Sequence, residues 1–204
     1  MRVRHKFILI LTIVIIYFCH SSIVKGFDNN DNYIKEYKDS IYGMAKMMRC
    51  IPSTGDLDLD YLYQMDFFCE GEVNFSNAYI GYATNDDIKN IAKKCIEREG
   101  IQIEKIKSLI EKNKDNLQVN KEEEEKYLKI YNQILSNMMC SFQKVELTED
   151  INVDYLRFIL IHHNGVIEII EKFLDISDNK EVTEIAQKIL NEMKQDVDMI
   201  SKYI

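Results

Sequence analysis

From Val182 onward, apolar side chains recur at three- and four-residue steps: Val182, Ile185, Ala186, Ile189, Met193, Val197, Ile200 and Ile204. At about 3.6 residues per turn such steps fall on one stripe of a cylinder, so the pattern predicts a helix over 180–204. Leu156, Leu160, His163, Ile167, Ile170 and Leu174 form a second stripe and predict a helix over 151–174. The same reading places helices at 57–80 and 86–110, and two more at 32–49 and 122–143. Asp56 and Asp150 stand immediately before two of these segments, where a carboxylate accepts the first free backbone N–H groups. Asp60 and Asp154 follow in the first turn, where the helix dipole favours acids. Asn85 and Asn179 are placed to cap the third helix of each set. With only seven glycines and one proline to interrupt such patterns, the chain reads as all-α.

The six helices fall into two sets of three. Shifted by 94 positions, residues 33–110 align without a gap on 127–204. Thr54, Asp56, Asp60, Tyr61 and Leu62 match Thr148, Asp150, Asp154, Tyr155 and Leu156. Met44 matches Met138, Gly71 matches Gly165, and Ile91, Ala92 and Lys94 match Ile185, Ala186 and Lys188. Such self-similarity marks units that bury their apolar faces against one another. The expected architecture is therefore two tandem three-helix repeats. Their second and third helices would form a ferritin-like four-helix bundle, with the first helices as two additional ones outside it. A polar stretch, Lys112–Leu117, links the copies.

Residues 1–26 read as a signal peptide. Arg2, Arg4 and Lys6 precede an apolar run from Phe7 to Cys19, and Val24 and Gly26 form a small-x-small cleavage pattern. A helix over that run would reach about 20 Å, short of the ~30 Å hydrocarbon core, so no stable membrane span is expected after cleavage. Residues 27–204 then form a single helical domain on the secretory pathway, destined for secretion or for a vacuole or secretory organelle. The net charge of -8 argues against a nucleic-acid partner. Cys50, Cys69, Cys95 and Cys140 remain in the mature chain, enough for two disulfides among three connectivities. Cys69 with Cys95, on the two arms of one hairpin, is one geometrically conceivable pair, leaving Cys50 and Cys140.

Chemistry-bearing residues are few. No Gly-rich phosphate loop, no nucleophile–base pair and no Glu-x-x-His spacing supports an enzyme. His162 and His163 are the only histidines after the leader, and adjacent helical positions point about 100° apart, so they can flank a centre but not both face it squarely. Two readings compete: a hydrogen-bonded core histidine, or a soft metal site using imidazole, thioether and thiolate. In the repeat, His163 corresponds to Cys69 and His162 to Phe68. A pseudo-twofold relation would bring Cys69 and His163 together, with Met65 and Met138 as further ligands. Methionines at helical spacing are otherwise core filler.

Asp154-Tyr155-Leu156 followed by Ile161-His162-His163-Asn164-Gly165-Val166-Ile167 resembles the Asp-x-x-Phe-Leu…His-His-x-x-Ala-Ile signature of domain-of-unknown-function family 305. Ile185-Ala186 through Val197 is similar to that family's next helix, with Met193 and Asp196 in its Gln and Glu places. Met44, Met47 and Met48 ahead of 52–62 and Met65 resemble its Met-rich lead-in. The resemblance implies an exported ferritin-like bundle and copper as a candidate cofactor, held by Met and His. Copy one carries Phe68-Cys69 where two histidines belong, and copy two carries Ile159 where a methionine belongs. Each copy keeps half of the pattern. The expected function is a non-enzymatic exported bundle with one composite site at His162, His163, Cys69, Met65 and Met138. The alternative is a metal-free secreted factor of a unicellular eukaryote that binds a protein partner, using tyrosines such as Tyr33, Tyr37, Tyr61 and Tyr82 taken as exposed.

Overall fold

A computed structural model describes residues 29–48, 51, 53–148 and 150–204. The leader and Cys50 lie outside the described residues. Six helices follow one another: α1 (Asn29–Met48), α2 (Leu57–Ile80), α3 (Asp86–Asn113), α4 (Lys121–Lys144), α5 (Ile151–Leu174) and α6 (Lys180–Ile200). No strand occurs among the described residues, and the fold is all-α. None of these helices is long and apolar enough to cross a membrane.

The predicted caps are in place. The Asp56 carboxylate accepts from the Asp58 and Leu59 amides, and Asp150 accepts from Asn152 and Val153. Asn85 and Asn179 do the same for α3 and α6. Each satisfies donors that the helix geometry leaves without an internal partner. Asp60 and Asp154 also reach back, each to the amide and hydroxyl of the threonine six residues earlier, Thr54 or Thr148. The loop entering each central helix is thereby fixed in the same way twice.

The two hairpins, α2–α3 and α5–α6, meet along α2 and α5, which run antiparallel. Tyr61 stacks on Phe173 with ring centroids 3.7 Å apart, and Tyr79 stacks on Tyr155 at 3.9 Å. These two contacts exchange under the 94-residue shift: Tyr61 corresponds to Tyr155, and Tyr79 to Phe173. Midway between them Phe68 meets His162 edge-on at 5.8 Å, and those two positions are each other's counterparts. The shift also relates Arg98–Asp196 to Gln102–Glu192, two of the polar bridges from α3 to α6. On the opposite side α1 packs on α2 and α4 on α5. Met44 lies against Gly71 and Met138 against Gly165. Equivalent positions thus make equivalent contacts around one shared interior.

Three sequence expectations need correction. Tyr33, Tyr37 and Tyr61 are buried, and Tyr82 is only part-exposed. Their rings fill the space between helices, with edge-to-face contacts such as Tyr37 on Phe75 and Phe158. Ile204 is half exposed because α6 stops at Ile200; Leu190 and Asp196 join the buried stripe instead. Cys69, Cys95 and Cys140 are free thiols, so the proposed Cys69–Cys95 bridge is absent. Arg98 opposite Glu72 and Lys107 opposite Asp66 set the hairpin register. In that register Cys69 is level with Gln102, about two turns from Cys95.

The linker also departs from a free tether. Gln118 donates its amide to Asp56, Asn120 donates to the Gly55 carbonyl, and Gly55 donates to Glu124 at the start of α4. Gly55 has φ +87°, a conformation that costs a Cβ-bearing residue but not glycine.

A Cβ on Gly165 would sit 2.6 Å from the Met138 sulfur and 3.1 and 3.4 Å from its Cγ and Cβ, so the whole side chain would have to move. On Gly71 a Cβ would meet only the flexible end of Met44, at 3.1 and 3.4 Å. Gly165→Ala is therefore expected to destabilise by about 1–2 kcal/mol in urea unfolding. Gly71→Ala should fall within about 0.5 kcal/mol of the native chain, since relief of glycine's entropy offsets the squeeze. Equal costs at the two sites would contradict this packing.

Candidate functional site

The seam between α2 and α5 encloses charged groups where the stripes predict apolar ones. Along α2 the buried positions run Met65, Phe68, Cys69, Glu72, Phe75, Ser76 and Tyr79. Along α3 they run Cys95, Glu99, Gln102 and Ile106. Glu72 and Glu99 thus lie on core stripes. From α5, His162 and His163 are both fully buried, and from α6 Asp196 is 8% exposed.

Glu72 is the hub. Its Oε2 lies 3.0 Å from His163 Nε2 and 3.5 Å from His162 Nε2. Its Oε1 faces the Arg98 guanidinium at 3.7 Å. Arg98 spans the remaining acids: Nε and Nη2 donate to Glu99 Oε1 at 3.2 and 3.0 Å, and Nη1 donates to Asp196. His162 and His163, expected only to flank a centre, both bring Nε2 within 3.5 Å of this one oxygen, and His163 hydrogen-bonds to it.

Burial alone would raise the Glu72 pKa, but His163, His162 and Arg98 outweigh it and hold the group down to about 2. His163 goes the other way. Burial disfavours its cation, yet Glu72, by charge and hydrogen bond, lifts its pKa above the ordinary value. His162 has no such hydrogen bond and sits among Phe68 and Phe158, so burial depresses it to about 4 and it is neutral near pH 7. Glu99 is raised to about 7 by burial and by the Glu72 charge, against the pull of Arg98. Charge is thus balanced locally, but hydrogen bonding is not. Both nitrogens of His162, Nδ1 of His163, Oε1 of Glu72 and Oε2 of Glu99 are buried without a hydrogen-bond partner. Such orphans are uncommon in folded interiors.

Of the five expected ligands, the fold brings His162 and His163 to a common point and directs others elsewhere. Cys69 turns its thiol toward Gln102, 3.7 Å away, and burial with neighbouring acids keeps it protonated. Met138 is committed to the notch at Gly165, and Met65 is buried in α2. Glu72, Glu99 and Arg98 were missed. For the two acids the available signal was a carboxylate in phase with mostly apolar neighbours three and four positions away: Phe68, Cys69 and Phe75 around Glu72, and Cys95, Ile96 and Ile103 around Glu99.

Chemically, two imidazoles and a carboxylate are borderline-to-hard donors, suited to Zn(II), Cu(II) or Fe(II) more than to Cu(I). Among the described residues no three His, Cys, Asp or Glu side chains are already arranged around a metal position. The His163–Glu72 hydrogen bond and the Arg98 guanidinium take up the donors that would converge. A cleft of about 400 Å³ between α3 and α6, lined in part by Arg98, Gln102, Glu192 and Asp196, opens toward this cluster.

The profile of the family described as Domain of unknown function (DUF305) matches residues 58–204, which include α5, α6 and every member of the cluster. The Met-rich lead-in at Met44, Met47 and Met48 lies before the matched span. No curated protein and no solved structure matches the chain.

Two measurements probe the cluster. Glu72→Gln keeps the shape but leaves the buried His163 without its anion and takes one of three acids from Arg98, so urea unfolding at pH 7 should show a loss of about 3 kcal/mol or more. For Glu99 the folded pKa lies above the ordinary 4.5, so the folded state retains a proton that the unfolded chain has released. Its contribution is complete below about pH 4.5 and declines as pH rises through about 7. Relative to the native chain, Glu99→Gln should therefore gain up to about 3 kcal/mol between those limits. A native-minus-variant difference that is flat across this window would refute the assignment.

Proposed function

Taking as premise that the chain belongs to the DUF305 family, we propose that it is an exported, non-enzymatic helical-bundle protein that binds one divalent transition-metal ion. The halves descend from a duplicated three-helix unit, and the ion is held by His162 and His163 of one half with Glu72 of the other. A single observation carries this reading: two buried imidazole Nε2 atoms are focused on one carboxylate oxygen, and His162 has no hydrogen-bond partner of its own. An imidazole pair spent only on structure would be expected to satisfy its ring nitrogens. On ion binding, the proton between His163 and Glu72 leaves, since metal ligands must be deprotonated.

The site differs from a sulfur-rich copper centre. Cys69 and Met138 have other contacts, so the family-type copper expectation narrows to Cu(II), with Zn(II) and Fe(II) accepted by the same donors. Binding at such a centre takes a proton's place and weakens as pH falls.

A second reading rests on a different face. Tyr42 is 74% exposed beside a groove of about 700 Å³ between α1 and α4 that includes Ile41, Met139, Phe142 and Leu147. An apolar groove with an open aromatic at its rim suits a protein partner.

Calorimetric titration with Zn(II) and Cu(II) tests the metal reading. The native chain should take up one ion, with binding lost in His162→Ala/His163→Ala, weakened at least tenfold in Glu72→Gln, and retained in Met65→Leu/Met138→Leu. Uptake that is absent, or equal in the native and double-histidine chains, refutes the metal reading and leaves the partner-binding reading to pursue.

A further inference from the structure

Beyond the imidazole pair, Glu72 presents its second oxygen to a different set of groups. Oε1 points to the side where Glu99 and Asp196 also converge, from α3 and α6. Three carboxylates drawn from three helices into a largely dry interior repel one another unless a cation sits among them. The group that sits there is the Arg98 guanidinium, whose side chain is 19% exposed and contacts all three acids.

Guanidinium is an imperfect occupant. It is planar and donates through five N–H groups in a fixed fork. Glu72 Oε1 is 3.7 Å from Nη2, too long for a hydrogen bond, and Glu99 Oε2 is not engaged by the guanidinium. Both oxygens are buried, and Glu72 Oε1 faces the guanidinium. A compact divalent ion satisfies carboxylate oxygens from several directions, which a planar fork cannot do. The cleft between α3 and α6 is lined by Arg98 and Asp196 themselves, so the position is reached from solvent without unfolding the seam.

We propose that Glu72, Glu99 and Asp196 form a second, all-oxygen cation position, and that Arg98 occupies it as a tethered cation that keeps hard divalent ions out. The two positions share Glu72 but differ in chemistry: nitrogen-containing on the His162 and His163 side, oxygen-only on the Arg98 side. Mn(II) is the fitting probe for the second, because it favours carboxylate oxygens. The second position does not require that the first ever takes an ion.

The test compares the full chain, Arg98→Met and Arg98→Lys by Mn(II) titration, following loss of the free-ion paramagnetic resonance signal, together with thermal unfolding. The native chain and Arg98→Lys should leave Mn(II) free at concentrations where Arg98→Met binds about one ion per chain. Mn(II) should also raise the Tm of Arg98→Met and leave that of the native chain unchanged. Adding Asp196→Asn or Glu99→Gln to Arg98→Met should weaken the gained binding at least tenfold. If Arg98→Met does not fold alone, refolding in Mn(II) should restore it. The inference is overturned if folded Arg98→Met binds no more Mn(II) than the native chain. It is equally overturned if its added binding survives loss of both Asp196 and Glu99, or if Mn(II) fails to rescue an unfolded variant while Arg98→Lys folds normally. Zn(II) uptake at the histidines, followed separately in the same variants, distinguishes failure of this inference from failure of the metal reading above.

Discussion

The pairing of one buried carboxylate with cations from two other helices is the constraint to which the rest of the interior answers. Glu72 is fully enclosed, and an isolated ion in that place would cost several kcal/mol. It stays ionised because His163 comes from α5 and Arg98 from α3, with Asp196 of α6 steadying Arg98. Four helices are thereby held in one register by groups that cannot slip without exposing a bare charge. Aromatic stacking at the two ends of the α2–α5 seam adds area and shape, but a stack tolerates sliding better than an ion pair does. The charged centre therefore selects the arrangement, while the tyrosines and phenylalanines fill it.

The two halves make like contacts at corresponding positions outside the centre. Met on Gly, Thr on Asp, and aromatic stacks at either end of the seam recur at corresponding positions. The centre is where the halves differ. Glu72 corresponds to Val166, Glu99 to Met193, and Phe68-Cys69 to His162-His163. One half supplies Glu72, Glu99 and Arg98 and the other supplies the imidazoles and Asp196, so the polar cluster exists only where both are present. Arrangements of this kind allow a central site to be asymmetric although its scaffold is not.

Much of this was legible from residue order. Caps at Asp56, Asn85, Asp150 and Asn179, together with three- and four-residue apolar steps, located four helices at or near their ends, because capping and burial are local or periodic demands. The His162–His163 pair was legible as a candidate, but its companions were not. Glu72 and Glu99 occupy apolar phases, and periodicity alone cannot tell an acid facing a cation from one facing water. The same limit applied to the thiols: turn length suggested Cys69 opposite Cys95, whereas ion pairs between the arms decided the register. Tyr33, Tyr37 and Tyr61 were misjudged because a phenol is amphipathic, and only the surrounding rings determine whether it is enclosed. The linker's backbone ties depend on a positive φ at Gly55, which sequence marks only as one glycine among seven.

Those ties have a mechanical consequence. Backbone groups at Gln118 and Asn120 are sewn onto the Asp56 and Gly55 loop, so the segment joining the halves lies along the body and bears little of the load between them. Cohesion comes from the seam itself. A chain severed near Asn116 would therefore stay together as two complementary fragments, and halves produced as separate polypeptides would have the means to find each other and reassemble.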